Sequence, residues 1–122
     1  MSEHEQFIRH SLKLARAARA AGNHPFGALL VREGQILLTA ENTVNTEQDI
    51  TGHAELNLVR SASRQLGLDG LRGTTLYTST EPCAMCTGAI VWPAFPQSCT
   101  AARRQHWERS PAVISSFRHV NW

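Results

Sequence analysis

A three-layer α/β/α sandwich around a mixed central sheet is the fold this sequence predicts, and three observations carry it. Helical and strand-like stretches alternate in the order helix, strand, strand, helix, strand, helix, which calls for helices packed on a sheet with some parallel pairing. The 122 residues suffice for one compact domain and are too few for two ordinary ones. With 42% hydrophobic and 18% charged residues, the chain can build a core and does not read as disordered.

Each element has its own reason. Glu3 to Ala21 reads as a helix, with Ile8, Leu12, Ala15 and Ala18 at helical spacing and Gly22 as its stop. FGALLV (Phe26–Val31) and QILLTA (Gln35–Ala40) are short apolar runs joined by Arg32-Glu33-Gly34, which makes a hairpin. ENTVNTEQDITG follows as a polar loop. HAELNLVRSASRQLG reads as a second helix, with Leu56, Val59 and Ala62 as its inward stripe and Gly67 at its end. TTLYTS (Thr74–Ser79) is rich in β-branched residues and reads as a strand. Pro82 suits the first turn of a third helix, CAMCTGAIVW, because its missing N–H has no partner there anyway. Gln97–Ala101 is a candidate fourth strand, and WERSPAVISSFRHVNW has no clean period.

Charge and cysteine usage narrow the function classes. Of 12 basic and 10 acidic residues, four arginines and one acid follow Gln97, which leaves eight and nine before it. The body is therefore nearly neutral and offers no broad basic face for nucleic acid, although that partner class stays open. No apolar run approaches the roughly 20 residues that span a bilayer, and no membrane partner is expected. The N-terminal stretch carries acids and lacks the apolar core of a secretory signal. Three cysteines, an odd count, argue against a disulfide framework. A reducing, cytoplasmic setting fits.

The chemistry-bearing residues sit at helix starts. Cys83 and Cys86 lie at i and i+3, so both sulfurs can face one ion. Partial positive charge at a helix N-terminus favours the thiolates that a metal needs. The pair alone reads three ways: a redox couple, half of a zinc site, or two buried small residues. His53 begins the second helix and supplies an imidazole. One imidazole and two thiolates would leave tetrahedral zinc with its fourth position open, the pattern of catalytic rather than closed structural sites.

HAE (His53, Ala54, Glu55) followed after about 30 residues by PCAMC (Pro82 to Cys86) is similar to the signature of zinc-dependent deaminases. Together with HPFGALLV (His24–Val31), Glu41-Asn42, DITGHAE and LYTSTEPCAMCTGAIVW, it makes the sequence resemble the cytidine deaminase-like superfamily. Within that superfamily it stands nearest the guanine deaminase and nucleoside deaminase branch. The likeness runs from the first helix to Trp92.

The resemblance implies Zn2+ held by His53, Cys83 and Cys86, with Glu55 as the catalytic proton carrier. It also implies substrate contacts from Asn42, Phe26, Ala54 and Trp92, with Pro25 beside Phe26 in the pocket wall. The implied partner is a small-molecule purine or pyrimidine base, and the implied assembly a homodimer. The implied reaction is guanine to xanthine with release of ammonia. PFGA (Pro25–Ala28) supports the guanine branch, since tRNA adenosine deaminases usually carry V-G-A there. A tRNA adenosine (wobble) deaminase, or another nucleoside or cytosine deaminase, is the alternative. After Trp92 the sequence departs from the family pattern. The part from about residue 93 is expected to be atypical or truncated, and a catalytically weak zinc-binding homologue is the third reading. Cys99 lies outside the motif and reads as a free thiol.

Overall fold

The computed structural model describes residues 3–80, 82–91 and 100–101 of the chain. Helix α1 (Glu3–Ala20) buries Phe7, Ile8, Ser11, Ala15 and Ala18, a stripe at helical spacing. It ends where Gly22, at φ +92°, takes a left-handed turn that few side chains tolerate. Strands β1 (Gly27–Arg32) and β2 (Gln35–Glu41) form the expected antiparallel hairpin, from Gly27 opposite Glu41 to Arg32 opposite Gln35. Both turn residues, Glu33 and Gly34, have positive φ (50° and 77°), the backbone twist that matches paired strands.

Strand β3 (Thr75–Thr78) pairs antiparallel with β1, and β4 (Thr100–Ala101) pairs parallel with β3. The sheet order β2-β1-β3-β4 is therefore mixed, as the alternation of elements predicts. Of the candidate strand at Gln97–Ala101, Thr100 and Ala101 pair with β3, and the rest lies outside the described residues.

Helix α3 (Ala54–Leu66) and helix α4 (Ala84–Val91) cover one face of the sheet, and α1 covers the other. Strand alternation divides the core between them. Ala28, Leu30 and Leu76 face Ala54, Leu58, Ala62 and Ile90, while Leu29, Val31 and Tyr77 face Phe7 and Ile8. Each fully buried leucine contributes roughly 1.5–3 kcal/mol by leaving water. Gly27 lets α1 approach closely, because a Cβ there would lie 2.4 Å from the Leu14 Cβ and 2.7 Å from the Ser11 carbonyl. Three layers result, and among the described residues no helix is long and apolar enough to cross a membrane.

Three local expectations are corrected. The polar loop contains a one-turn helix, α2 (Val44–Glu47), because Asn23 accepts hydrogen bonds at 3.0 Å from both the Asn45 and Thr46 amides. Those are orphan donors of a helix start, satisfied from 22 and 23 residues away. In α3 the fully buried leucine is Leu58, whereas Leu56 is half-buried. Helix α4 begins at Ala84, so Pro82 precedes it, and the Cys83 carbonyl accepts its first bond, from the Thr87 amide at 2.8 Å.

Candidate metal centre

His53 ends an extended segment (φ −70°, ψ 147°) and caps α3, which aims its imidazole past the helix start. The segment is held rigidly. Asp49 accepts bonds from the Thr51 amide (2.9 Å) and hydroxyl (2.6 Å), and those donors hold its carboxyl below the ordinary value. The Asn57 amide nitrogen, one turn into α3, donates to the Glu41 carbonyl, the Thr43 hydroxyl and the Gly52 carbonyl at 2.9–3.3 Å. The loop before His53 is thereby tied to α3 and to the end of β2.

Across from His53, Cys83 stands just before α4 and Cys86 lies in its first turn. Their sulfurs are 3.5 and 3.6 Å from the His53 Nδ1. The three donor atoms lie within 4.8 Å of one another, a group that could hold a metal ion. Zinc bonds of about 2.3 Å to sulfur and 2.0–2.1 Å to nitrogen, at the tetrahedral angle, set nitrogen and sulfur about 3.6 Å apart. The observed separations match that spacing. The two helix starts converge on one face of the sheet, and the donor set fits Zn2+.

In the metal-free chain the thiols differ from one another in surroundings, Cys83 being exposed and Cys86 buried. Burial, ahead of the nearby Glu55 charge and Cys83, pushes the Cys86 thiol far above its usual range. Without a cation, desolvation outweighs the helix-start charge. The thiol then holds its proton at neutral pH, and an incoming metal must displace it. Zinc titrated into metal-free chain at pH 7 is expected to release at least one proton per ion. Its apparent affinity should rise about tenfold per pH unit for each proton released. An indicator-dye titration measures this, and zinc uptake with no proton release between pH 6 and 8 counts against Cys86 as a ligand.

Glu55 lies two residues beyond His53 and is 5% exposed, and its charge adds to the burial that raises the Cys86 thiol. Its Oε1 accepts from the Thr78 hydroxyl at 2.5 Å. Sequence reasoning did not single out Thr78, although its strand parity with Leu76 marks it as facing α3.

The other expected contacts are distributed as follows. Asn42 is 2% exposed at the end of β2. Its amide N–H donates to the Phe26 carbonyl at 3.0 Å, and its side-chain oxygen accepts from Val44 at 3.1 Å. The Ala54 side chain is core, so what it can present is its backbone N–H, which has no partner within its own helix. Phe26 packs against the core that holds Ala54 and Leu58. With Pro25 it also lines an open cleft of about 660 Å³, together with Arg16 and Arg19 of α1, Ser79 and Thr80. None of the three metal donors lines that cleft. Trp92 and Cys99 lie outside the described residues.

A mixed sheet with two helix starts bringing a His/Cys/Cys group together defines a metal centre of the deaminase kind. The chain matches the cytidine and deoxycytidylate deaminase zinc-binding region over residues 1–102. It belongs to this family of zinc deaminases, and its cofactor is Zn2+. It is 44% identical to the guanine deaminase of Bacillus subtilis (strain 168) over 90 residues, 73% of this chain and 58% of the relative. It is 41% identical to the tRNA-specific adenosine deaminase of the same organism over 91 residues, 75% of this chain and 56% of the relative. A structure solved in work on A-to-I editing by tRNA:A34 deaminases is similar at a TM-score of 0.72 and 33% identity, over 84% of this chain and 78% of that one. The chain thus spans just over half the length of these two curated relatives.

Proposed function

We propose that this chain is a zinc-dependent deaminase that converts guanine to xanthine, with His53, Cys83 and Cys86 as ligands and Glu55 as the proton carrier. The observation that carries it is a buried carboxylate beside a group that, among the described residues, supplies three of the four ligands of a tetrahedral metal. Zinc, when bound, supplies Lewis acidity that makes a water acidic near neutral pH.

The chain's own residues do the rest. Glu55 takes a proton from the attacking water and passes it to a ring nitrogen of the base. The water oxygen bonds to the amine-bearing carbon; Glu55 then takes the second proton from the added hydroxyl and delivers it to the amino group, which leaves as ammonia as the carbon–nitrogen bond breaks and the carbonyl forms. Atoms balance as guanine plus water giving xanthine plus ammonia. The core behind Ala54 and Phe26 keeps bulk water away from the back of the site, and the Ala54 N–H offers a donor to a ring carbonyl.

Asn42 reads the base edge in this proposal. Its side-chain oxygen is committed to Val44, and among the described residues its side-chain nitrogen has no acceptor. An unmatched buried polar group costs about 1–3 kcal/mol. Asn42→Ala is therefore expected to lower guanine kcat/KM roughly 10- to 100-fold while zinc content stays within a fifth of the parent's. A parallel loss of zinc would make Asn42 structural instead.

The guanine assignment is supported by the PFGA stretch (Pro25–Ala28) and by the 44% identity to a guanine deaminase. Ammonia release measured side by side on free bases, nucleosides and a tRNA anticodon stem tests it. Faster release from the stem or from cytidine moves the chain to another branch of the family. Zinc binding without release from any probe makes it the catalytically weak homologue. A homodimer is part of the same proposal, and sedimentation of the zinc-loaded chain checks it.

A further inference from the structure

We propose that Thr78 is a positioning residue for Glu55, holding the carboxyl group in both of its protonation states; this rests on Glu55 being the proton carrier. Thr78 is the last residue of β3, paired with Ala28 in the sheet, and only 1% exposed. It points to the face where α3 packs, a place where valine would satisfy both packing and strand preference. Its hydroxyl instead lies 2.5 Å from the Glu55 Oε1 and 3.0 Å from the Thr80 carbonyl.

A hydroxyl carries one proton and two lone pairs, so it can donate to only one of these acceptors at a time. While Glu55 is ionised, the carboxylate takes that proton in a charge-assisted bond. When Glu55 holds the proton taken from water, the hydroxyl turns its own proton to the Thr80 carbonyl. It then accepts from the carboxylic acid. In either state the carboxyl keeps a hydrogen bond to the Thr78 oxygen, which holds it in place through the cycle.

The anchoring strand makes this more than a chance contact. Threonine is stiff at its first side-chain torsion, whereas glutamate has three torsions to fix. A rigid sheet position thus orients a flexible acid on a helix start. Misplacement of a reacting group by about 1 Å can cost roughly 10²-fold in rate.

The test uses zinc-loaded chain carrying Thr78→Val, which keeps the shape, and Thr78→Ser, which keeps the hydroxyl. Thr78→Val is expected to lower kcat for ammonia release at least tenfold, with KM within twofold and zinc content unchanged. Thr78→Ser should stay within threefold of the parent. Equal loss in both variants, or a raised KM at parental kcat, overturns the proposal, because an interaction made only in catalysis lowers kcat. Melting temperatures give a readout independent of turnover. Thr78→Val should lower the melting temperature when Glu55 is present, and by less than half as much in a Glu55→Ala background. Equal shifts in the two backgrounds also overturn it, and a Thr78→Val chain that folds only with Glu55→Ala supports it. A parent that releases no ammonia from any probe defeats the deaminase reading, while the melting cycle still decides the Thr78–Glu55 pairing.

Discussion

Glu55→Gln is expected to abolish deamination while leaving the zinc centre and the fold intact. The amide is nearly isosteric, and its oxygen can still accept from the Thr78 hydroxyl that sits 2.5 Å away in the parent. What it loses is basicity. An amide cannot take the proton of the attacking water, nor hand one to a ring nitrogen or to ammonia. A single general acid–base group typically supplies 10²–10⁴-fold, and here one carboxyl serves successive transfers. The expected fall in kcat is therefore at least that range, with zinc at parental stoichiometry and a melting temperature within a few degrees of the parent. Retained turnover would mean that another group carries the proton.

Much of the fold is legible in the sequence because its elements are specified locally. Gly22 and Gly34 mark places where the backbone takes positive φ, and the apolar runs between such marks have the lengths of strands. Where the structure differs, the deciding contact is remote. Helix α2 is a single turn whose first amides are satisfied by Asn23, and nothing within VNTE itself announces that. The choice of Leu58 over Leu56 is similar. Ala54, Leu58 and Ala62 stack at four-residue steps against the sheet, which turns Leu56 roughly 160° around the helix from Leu58.

The site divides along the same line. His53, Cys83 and Cys86 are conspicuous because imidazole and thiolates at metal-ligand spacing are a chemical pattern in the chain itself. Thr78 is not, because its meaning arises only when β3 places it opposite a glutamate 23 residues earlier. The electrostatics of the metal-free Cys86 thiol have a related origin. A helix start is visible in sequence, but the depth that pushes the Cys86 thiol upward depends on tertiary packing.

Cys83→Ser is the variant expected to act most strongly on stability. A serine hydroxyl holds its proton at neutral pH and is a poor zinc ligand, so the donor set falls from three to two. Cys83 is exposed, and the exchange of sulfur for oxygen there removes little packing. Loss of stability in this variant is therefore a direct measure of the metal's contribution. A ligand that binds only the folded chain adds about 4 kcal/mol when its free concentration is 1,000 times its Kd. For a chain of this size that corresponds to a fall on the order of 10 °C in melting temperature. Two controls isolate the cause. Chelated parent should melt where the zinc-free variant does, and added zinc should raise the parent's melting temperature but not the variant's. Elemental analysis should find one zinc per chain in the parent and well under half in Cys83→Ser. Full occupancy in the variant would remove Cys83 from the ligand set. The His53 Nδ1 and Cys86 sulfur, 3.6 Å apart, would then need a different third donor.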